Sequence, residues 1–483
     1  MPGPARVGYS QMTLRSFVLF IAFVLAFGHG FMEVPFDVVT RQGICRREFS
    51  TREDLRNCLA APEVAAHHRF KVNTQLFMGL YGFVVSYPLG KLTDRVRRSS
   101  AATIGILLWL AGQSIGGGTM GIDPRAYYGL SFLTVTGRLL TETALFAMIT
   151  DLSTNLNRCC NHALLVFLAF AGYIFGQLLS GFSTFTKPSG LALLGSACIG
   201  LCSLPVVVRK DTQKPKPRGP RQTREQPFGK VMGALLNAPT ICLLFIAAAL
   251  PTLGPIVIAW LEKHLPAAYD ISPVVLGMPL RFMFFAAILL GMALTLFSMG
   301  RPSAADRPQN FSEDRCKPDD VSWFLATFLL LQIGSILFVV QGKGPALAGV
   351  VLSGLGSGAA ALPTALVLCL VGPDVRSKYA GRVFGVLNEA RSLAVMWTGK
   401  FALELTARQA PSEVGVLWMH LVAVGFLTIL VVPVWKLAGD LPPLPPTNHD
   451  EIELRDMGGP NQAGNVDEEA AVPAAPPPAY AVR

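Results

Sequence analysis

Apolar and polar positions in this chain come in long blocks separated by short polar turns. Each apolar block runs about 20 residues, enough for an α-helix to cross a hydrocarbon core of roughly 30 Å. In the first half the pattern predicts spans over residues 16–38, 72–90, 101–118, 127–150, 160–182 and 190–208. The second half repeats the plan at 234–260, 273–299, 321–340, 345–371, 383–406 and 414–437. The expected fold class is therefore an all-α membrane protein, with twelve transmembrane helices in two six-helix halves.

The polar segments set the expected topology. Residues 1–15 form a short N-terminus and 39–71 a loop. Residues 209–233 form a linker that holds Arg209, Lys210, Lys214, Lys216, Arg218, Arg221, Arg224 and Lys230. Cationic loops stay in the cytoplasm, which places the linker there. An even number of spans then puts both termini on the same side, and loop 39–71 outside. That loop carries Arg41, Arg46, Arg47, Arg52, Arg56, Arg69 and Lys71, against the charge rule. The linker and the turn after the second span agree with each other and decide the assignment. The first block lacks a small-residue cleavage site, so it is expected to act as targeting signal and first span together. The tail, 438–483, is Pro-rich and acidic, with too little apolar content to fold.

Composition changes this picture little. The chain has 483 residues, 51% hydrophobic and 15% charged, against roughly 25% charged in soluble proteins. The net charge of +10 sits in short loops, so nucleic acid is not an expected partner. No CxxC pair occurs among the nine cysteines, and neither a metal site nor a cofactor is expected. Gly112-Gln-Ser114-Ile-Gly116 fits G-x-S-x-G, and Gly116, Gly118 and Gly121 fit G-x-G-x-x-G. Both lie inside an apolar span without the preceding strand that either motif needs. No enzymatic activity is expected.

The most informative turn is Gly90-Lys-Leu-Thr-Asp94-Arg95-Val-Arg97-Arg98, between the second and third spans. It resembles the signature loop of the major facilitator superfamily, G-x-L-x-D-R-x-G-R-R/K, at Gly90, Leu92, Asp94, Arg95 and Arg98. Arg97 and Ser99 depart from it. The resemblance implies a monomeric twelve-helix transporter working by alternating access. It places Asp94 against the start of span 11 near Arg382, where it would favour the outward-open state. Asp151–Arg158 after span 4 and Asp374–Arg382 after span 10 are the equivalent gating loops of the two halves. More narrowly, Cys45-Arg46, Cys58, Pro62-Glu63-Val64 and Pro88-Leu-Gly90 resemble fungal relatives of the proton-coupled folate transporter, over residues 40 to 100. Drug–proton antiporters carry G-x-x-x-G-P-x-x-G-G in span 5, whereas this chain has Gly172-Tyr-Ile-Phe-Gly176-Gln177. Here the two glycines read as a close helix contact.

Candidate chemistry lies in the spans, where ionisable groups are costly and mark solute or proton pathways. His29, Glu33 and Asp37 are four apart on one face of span 1. Arg138 and Glu142 are four apart in span 4, either as an internal pair or as a solute site. Arg281 is in span 8, and Glu389, Arg391, Lys400 and Glu404 are in span 11. Spans 1 and 7 are both interrupted, by Gly28, Gly30 and Pro35 and by Pro251, Gly254 and Pro255, a pointer to the transport path.

These features predict a secondary transporter of small organic solutes, proton-coupled, with an anionic substrate favoured by Arg138 and Arg281. A drug–proton antiporter and a non-transporting receptor on the same scaffold are the alternatives. The expected location is the plasma membrane or a vacuolar or endosomal membrane. Cys45 and Cys58 are expected to form a disulfide in the external loop. Pro477-Pro478-Ala479-Tyr480 fits the P-P-x-Y ligand of WW domains, which points to a ubiquitin ligase as a partner.

Overall fold

The computed structural model describes residues 4–48, 65–120, 126–153, 157–183, 200, 227–250, 273–300, 318–337, 343–356, 362–371, 373–407, 425 and 427–436. All regular structure among them is helical. The first half gives α1 (Pro4–Glu48), α2 (Ala65–Arg95), α3 (Arg98–Met120), α4 (Ala126–Leu152) and α5 (Arg158–Ser183). A short α6 (Pro227–Leu235) closes the linker. The second half gives α7 (Ala238–Leu250), α8 (Pro273–Gly300) and α9 (Pro318–Leu337). After these come α10 (Lys343–Gly356), α11 (Leu362–Leu370), α12 (Pro373–Ala407) and α13 (Leu427–Lys436).

By length and composition, Leu14–Glu33, Ser131–Leu152, Arg158–Ser180 and Asp320–Leu337 can each cross a membrane. Phe20, Val84, Leu107, Phe175, Phe245, Phe282, Phe297, Ile336 and Trp435 stay exposed, the outward apolar belt expected of helices bathed in lipid. The buried side chains form two clusters. One holds Ile21, Ile106, Trp109, Leu140 and Leu165 from the first half. The other holds Leu243, Phe324, Leu366 and Phe384 from the second half, and it takes in Ala147 and Cys159 from α4 and α5.

The helices outrun their apolar blocks. The expected polar N-terminus is helical from Pro4, and residues 40–48 of the expected loop belong to α1. Likewise α2 starts at Ala65 and continues to Arg95. Hydrophobicity marks where a helix meets lipid; backbone hydrogen bonding carries it further into water. The expected span 10 is described as two pieces, α10 and α11. The linker ends in α6, which meets α7 at 87°. Val231 and Leu235 of α6 are buried while Gly229 and Lys230 are exposed. The corner is fixed by Asn237, whose side-chain oxygen accepts the Thr240 N–H at 2.9 Å, an N-cap of α7.

Candidate functional site

The signature turn joins both halves. Within α12 the backbone leaves the helical region at Tyr379 (φ −131°, ψ 24°), so a fresh helical segment starts just after it. The first N–H groups of such a segment have no intrahelical acceptor. Asp94 supplies one: Oδ1 accepts the Gly381 N–H at 2.8 Å and Oδ2 the Arg382 N–H at 3.1 Å. A carboxylate there also answers the positive end of the helix dipole. The Arg382 guanidinium lies 3.8 Å from Oδ2 and stacks over Tyr379 at 4.8 Å. This approach needs glycine on both sides: a Cβ on Gly90 would sit 2.3 Å from the Gly381 carbonyl oxygen, and one on Gly381 2.5 Å from that of Gly90. Burial pushes the Asp94 carboxyl up to about 6, opposed by the Gly381 N–H, the Arg98 charge and the Arg382 contacts.

Arg98 ties the other end of the turn to α4. Its guanidinium donates to the Ala147 carbonyl and pairs with Asp151. Of the remaining gating candidates, Arg95 is exposed, and Arg158 is buried at the start of α5. The side chain of Asp374 lies outside the described residues.

Next to the seam is a dry layer. Phe146 stacks on His162 (5.7 Å, 7°) and meets Phe384 at 5.2 Å. His162 is fully buried and bonds Thr150 Oγ1 at 3.2 Å. Cys159 and Cys369 bring their sulfurs to 3.7 Å across the two halves. Asn388 Nδ2 donates to Thr143 Oγ1 at 3.1 Å.

Farther along the helices the polar candidates converge. Tyr173 Oη donates to Glu33, and Gln177 Nε2 donates to Glu33 Oε2 at 2.9 Å and to Tyr173 Oη at 2.8 Å. His29 packs between Trp109 (5.9 Å) and Tyr173 (5.8 Å). The charges of Arg138, Glu33 and Glu142 all reach His29. Arg138 Nε pairs with Glu142 Oε1 at 3.2 Å, with side chains 47% and 39% exposed. Those charges also act on Arg391 of α12. Exposure in mid-helix, toward groups on α1 and α12, describes a polar chamber between the halves. Bare lipid would penalise such charges heavily.

The structure thus gathers His29, Glu33, Arg138 and Glu142. The side chains of Asp37 and Arg281 lie outside the described residues, as do Cys58, Pro477, Pro478 and Tyr480. Cys45 is disulfide-bonded. The chamber adds Trp109, Tyr173, Gln177 and Arg391. The neutral members carry no charge cost that would draw attention to them in a span. Gly172 and Gly176 serve helix contact: a Cβ on either would fall 2.2–2.3 Å from the Phe23 or Phe27 carbonyl oxygen of α1.

Residues 61–399 match the family described as Major Facilitator Superfamily. No curated protein matches the chain. Several solved structures share its fold. FucP in the outward conformation aligns with a TM-score of 0.62 at 12% identity, covering 88% of this chain and 99% of FucP. A bacterial homologue of the iron transporter ferroportin, in an outward-facing state, aligns at 0.61 and 13% identity over 87% and 98%. The human organic anion transporter MFSD10 (TETRAN) aligns at 0.56 and 13% identity over 86% and 99%.

Proposed function

The chain belongs to the Major Facilitator Superfamily, and from that premise we propose that it is a proton-coupled secondary transporter of small organic anions, working by alternating access. The observation that carries this reading is the polar chamber of His29, Glu33, Arg138 and Glu142, lying beyond a sealed Asp94 seam. In the proposed orientation the seam faces the cytoplasm, next to the basic linker. The described conformation then corresponds to an outward-facing state. The likeness of residues 40–100 to fungal relatives of the proton-coupled folate transporter supports coupling to protons, and MFSD10 carries organic anions on the same fold.

Glu33 is the proposed coupling carboxylate. A proton on it would turn the charged acceptor that Tyr173 and Gln177 share into a neutral and weaker one, and so loosen α1 from α5. Asp37 and His29 are its rivals on the same helix, and Arg281 a further cation for the solute. Cys45 is proposed to pair with Cys58, closing the external loop. The P-P-x-Y sequence at Tyr480 would recruit a ubiquitin ligase.

A metabolite-uptake screen in cells expressing the chain, read by mass spectrometry, tests the proposal. Saturable uptake that collapses with a protonophore is expected. Glu33→Gln should abolish accumulation against a gradient while internal-for-external exchange persists. Accumulation by Glu33→Gln with unchanged pH dependence would remove Glu33 from the role.

A further inference from the structure

We infer that Arg391, facing Arg138 across the chamber, is the seat of a single carboxylate on the transported solute; the inference rests on the proposed transport function and names its substrate class and a binding residue. Depth is the first argument. Asp94 and Asp151 mark one level, since the signature turn holds both Gly381 and Asp151. Arg391 lies ten residues beyond Gly381 and Glu142 nine residues before Asp151. At about 1.5 Å per residue, both stand about 14–15 Å above that level. Arg391 of the second half and Glu142 of the first therefore share one layer.

Charge is the second argument. The side chains of Glu142 and Arg138 both act electrostatically on Arg391. Of the carboxylates near this depth, Glu142 pairs with Arg138 and Glu389 accepts the Tyr87 N–H at 3.2 Å, so neither is paired with Arg391 among the described residues. Arg391 is held from behind: Nη2 donates to Thr364 Oγ1 at 2.9 Å, and the guanidinium faces the Phe146 ring at 6.0 Å. Its Nε has no hydrogen-bond partner among the described residues. A planar guanidinium fixed on one edge, with donors left over, suits a carboxylate bound by two parallel N–H bonds. Such an anion would give Arg391 the carboxylate partner it lacks and, reaching Arg138 as well, would link α12 to α4 and so bridge the halves. A neutral solute would leave the Arg391 guanidinium without a carboxylate partner. Phe146 supports Arg391 on one side and seals the dry layer with Phe384 on the other. A solute on Arg391 therefore rests on the gate itself.

Purified full-length protein in lipid nanodiscs tests this by calorimetric binding of lactate, gluconate and benzoate, with succinate as a dianion and glucose as a neutral control. At least one monocarboxylate should bind saturably. Arg391→Gln should weaken it at least tenfold, and Arg391→Lys should restore part of the loss because the charge remains. Equal binding by Arg391→Gln, or no carboxylate binding above glucose, would overturn the inference. Proteoliposome uptake separates the two claims. Arg391-dependent carboxylate binding without uptake keeps the seat and removes the transport reading. Accumulation of a neutral solute with unchanged KM in Arg391→Gln keeps transport and removes the seat.

Discussion

The Asp94 seam and the polar chamber use the same residue types and treat them in opposite ways. In the seam Arg98 is 1% exposed and Asp94 4%, and their bonds go to backbone amides and a backbone carbonyl as well as to opposite charges. In the chamber Arg138 and Glu142 are 47% and 39% exposed, and the Arg138, Glu142 and Glu33 bonds described above go to other side chains. A backbone partner sits at a fixed place, so on the proposed alternating-access cycle the seam bonds would form together or break together as α2 and α12 meet or part. Bistability of that kind suits a gate. Side-chain partners in water can be exchanged singly, which suits a site that must take up and release a solute. The dry Phe146–Phe384 layer keeps the two regimes apart.

The largest break in this contrast comes from Asp94→Ala. It removes both acceptors of the α12 N–H groups and leaves those donors buried without a partner. Hydrogen bonds to a charged group contribute about 1.5–3 kcal/mol each, and relief of the buried charge offsets part of that. A net loss of about 2 kcal/mol would lower the closed-to-open ratio of the seam roughly 30-fold. Cys159, buried beside the seam, reports the change: maleimide labelling should quicken about 30-fold, and transport should fall at unchanged expression. Unchanged labelling and transport would show that Asp94 does not hold the seam.

A smaller effect follows from pH. The buried carboxyl of Asp94 titrates at about 6, whereas in water it would return to the usual range near 3.9. The closed seam therefore holds the proton more tightly than the open one. Stability of the closed seam rises as pH falls through 6 and levels off below the open-state value. Between pH 7 and 5 the closed state gains about tenfold. Slower labelling of Cys159 by about that factor is the expected reading, and Asp94→Asn should flatten it. A pH response that survives Asp94→Asn would assign it to another group.

The two regions were not equally legible in the sequence. The seam is a local motif: nine residues, with glycine, carboxylate and cations at set spacings, identify the turn, and their resemblance to the superfamily's signature loop implies its target near Arg382. The chamber is assembled from five helices, and its membership depends on how each is rotated. Ionisable residues stand out in a span, which singles out His29, Glu33, Arg138 and Glu142. Tyr173, Gln177 and Trp109 look like ordinary helix surface until α5 and α3 are seen against α1. Arg391 was visible as a charge but had no link to Arg138, because nothing in the chain order places α12 beside α4. Helix ends are hidden for a simpler reason: α1 and α2 continue past the apolar stretch, where composition no longer reports helicity.

The smallest expected effect sharpens the contrast most. An exposed i,i+4 pair contributes about 0.3–0.5 kcal/mol, so in a chain of 483 residues Glu142→Gln should move the melting temperature by about 0.5 °C. Asp94→Ala should lower it further, because it strands buried donors. Function should respond the other way round. Glu142 competes with an incoming carboxylate for the Arg138 guanidinium, and the amide of Gln cannot compete as a charge. Binding of a monocarboxylate to Glu142→Gln should tighten about threefold, with slower release. A melting loss as large as that of Asp94→Ala would make the Arg138–Glu142 pair a structural element like the seam. Weaker anion binding in Glu142→Gln would make Glu142 part of the seat, holding Arg138 in place for the solute.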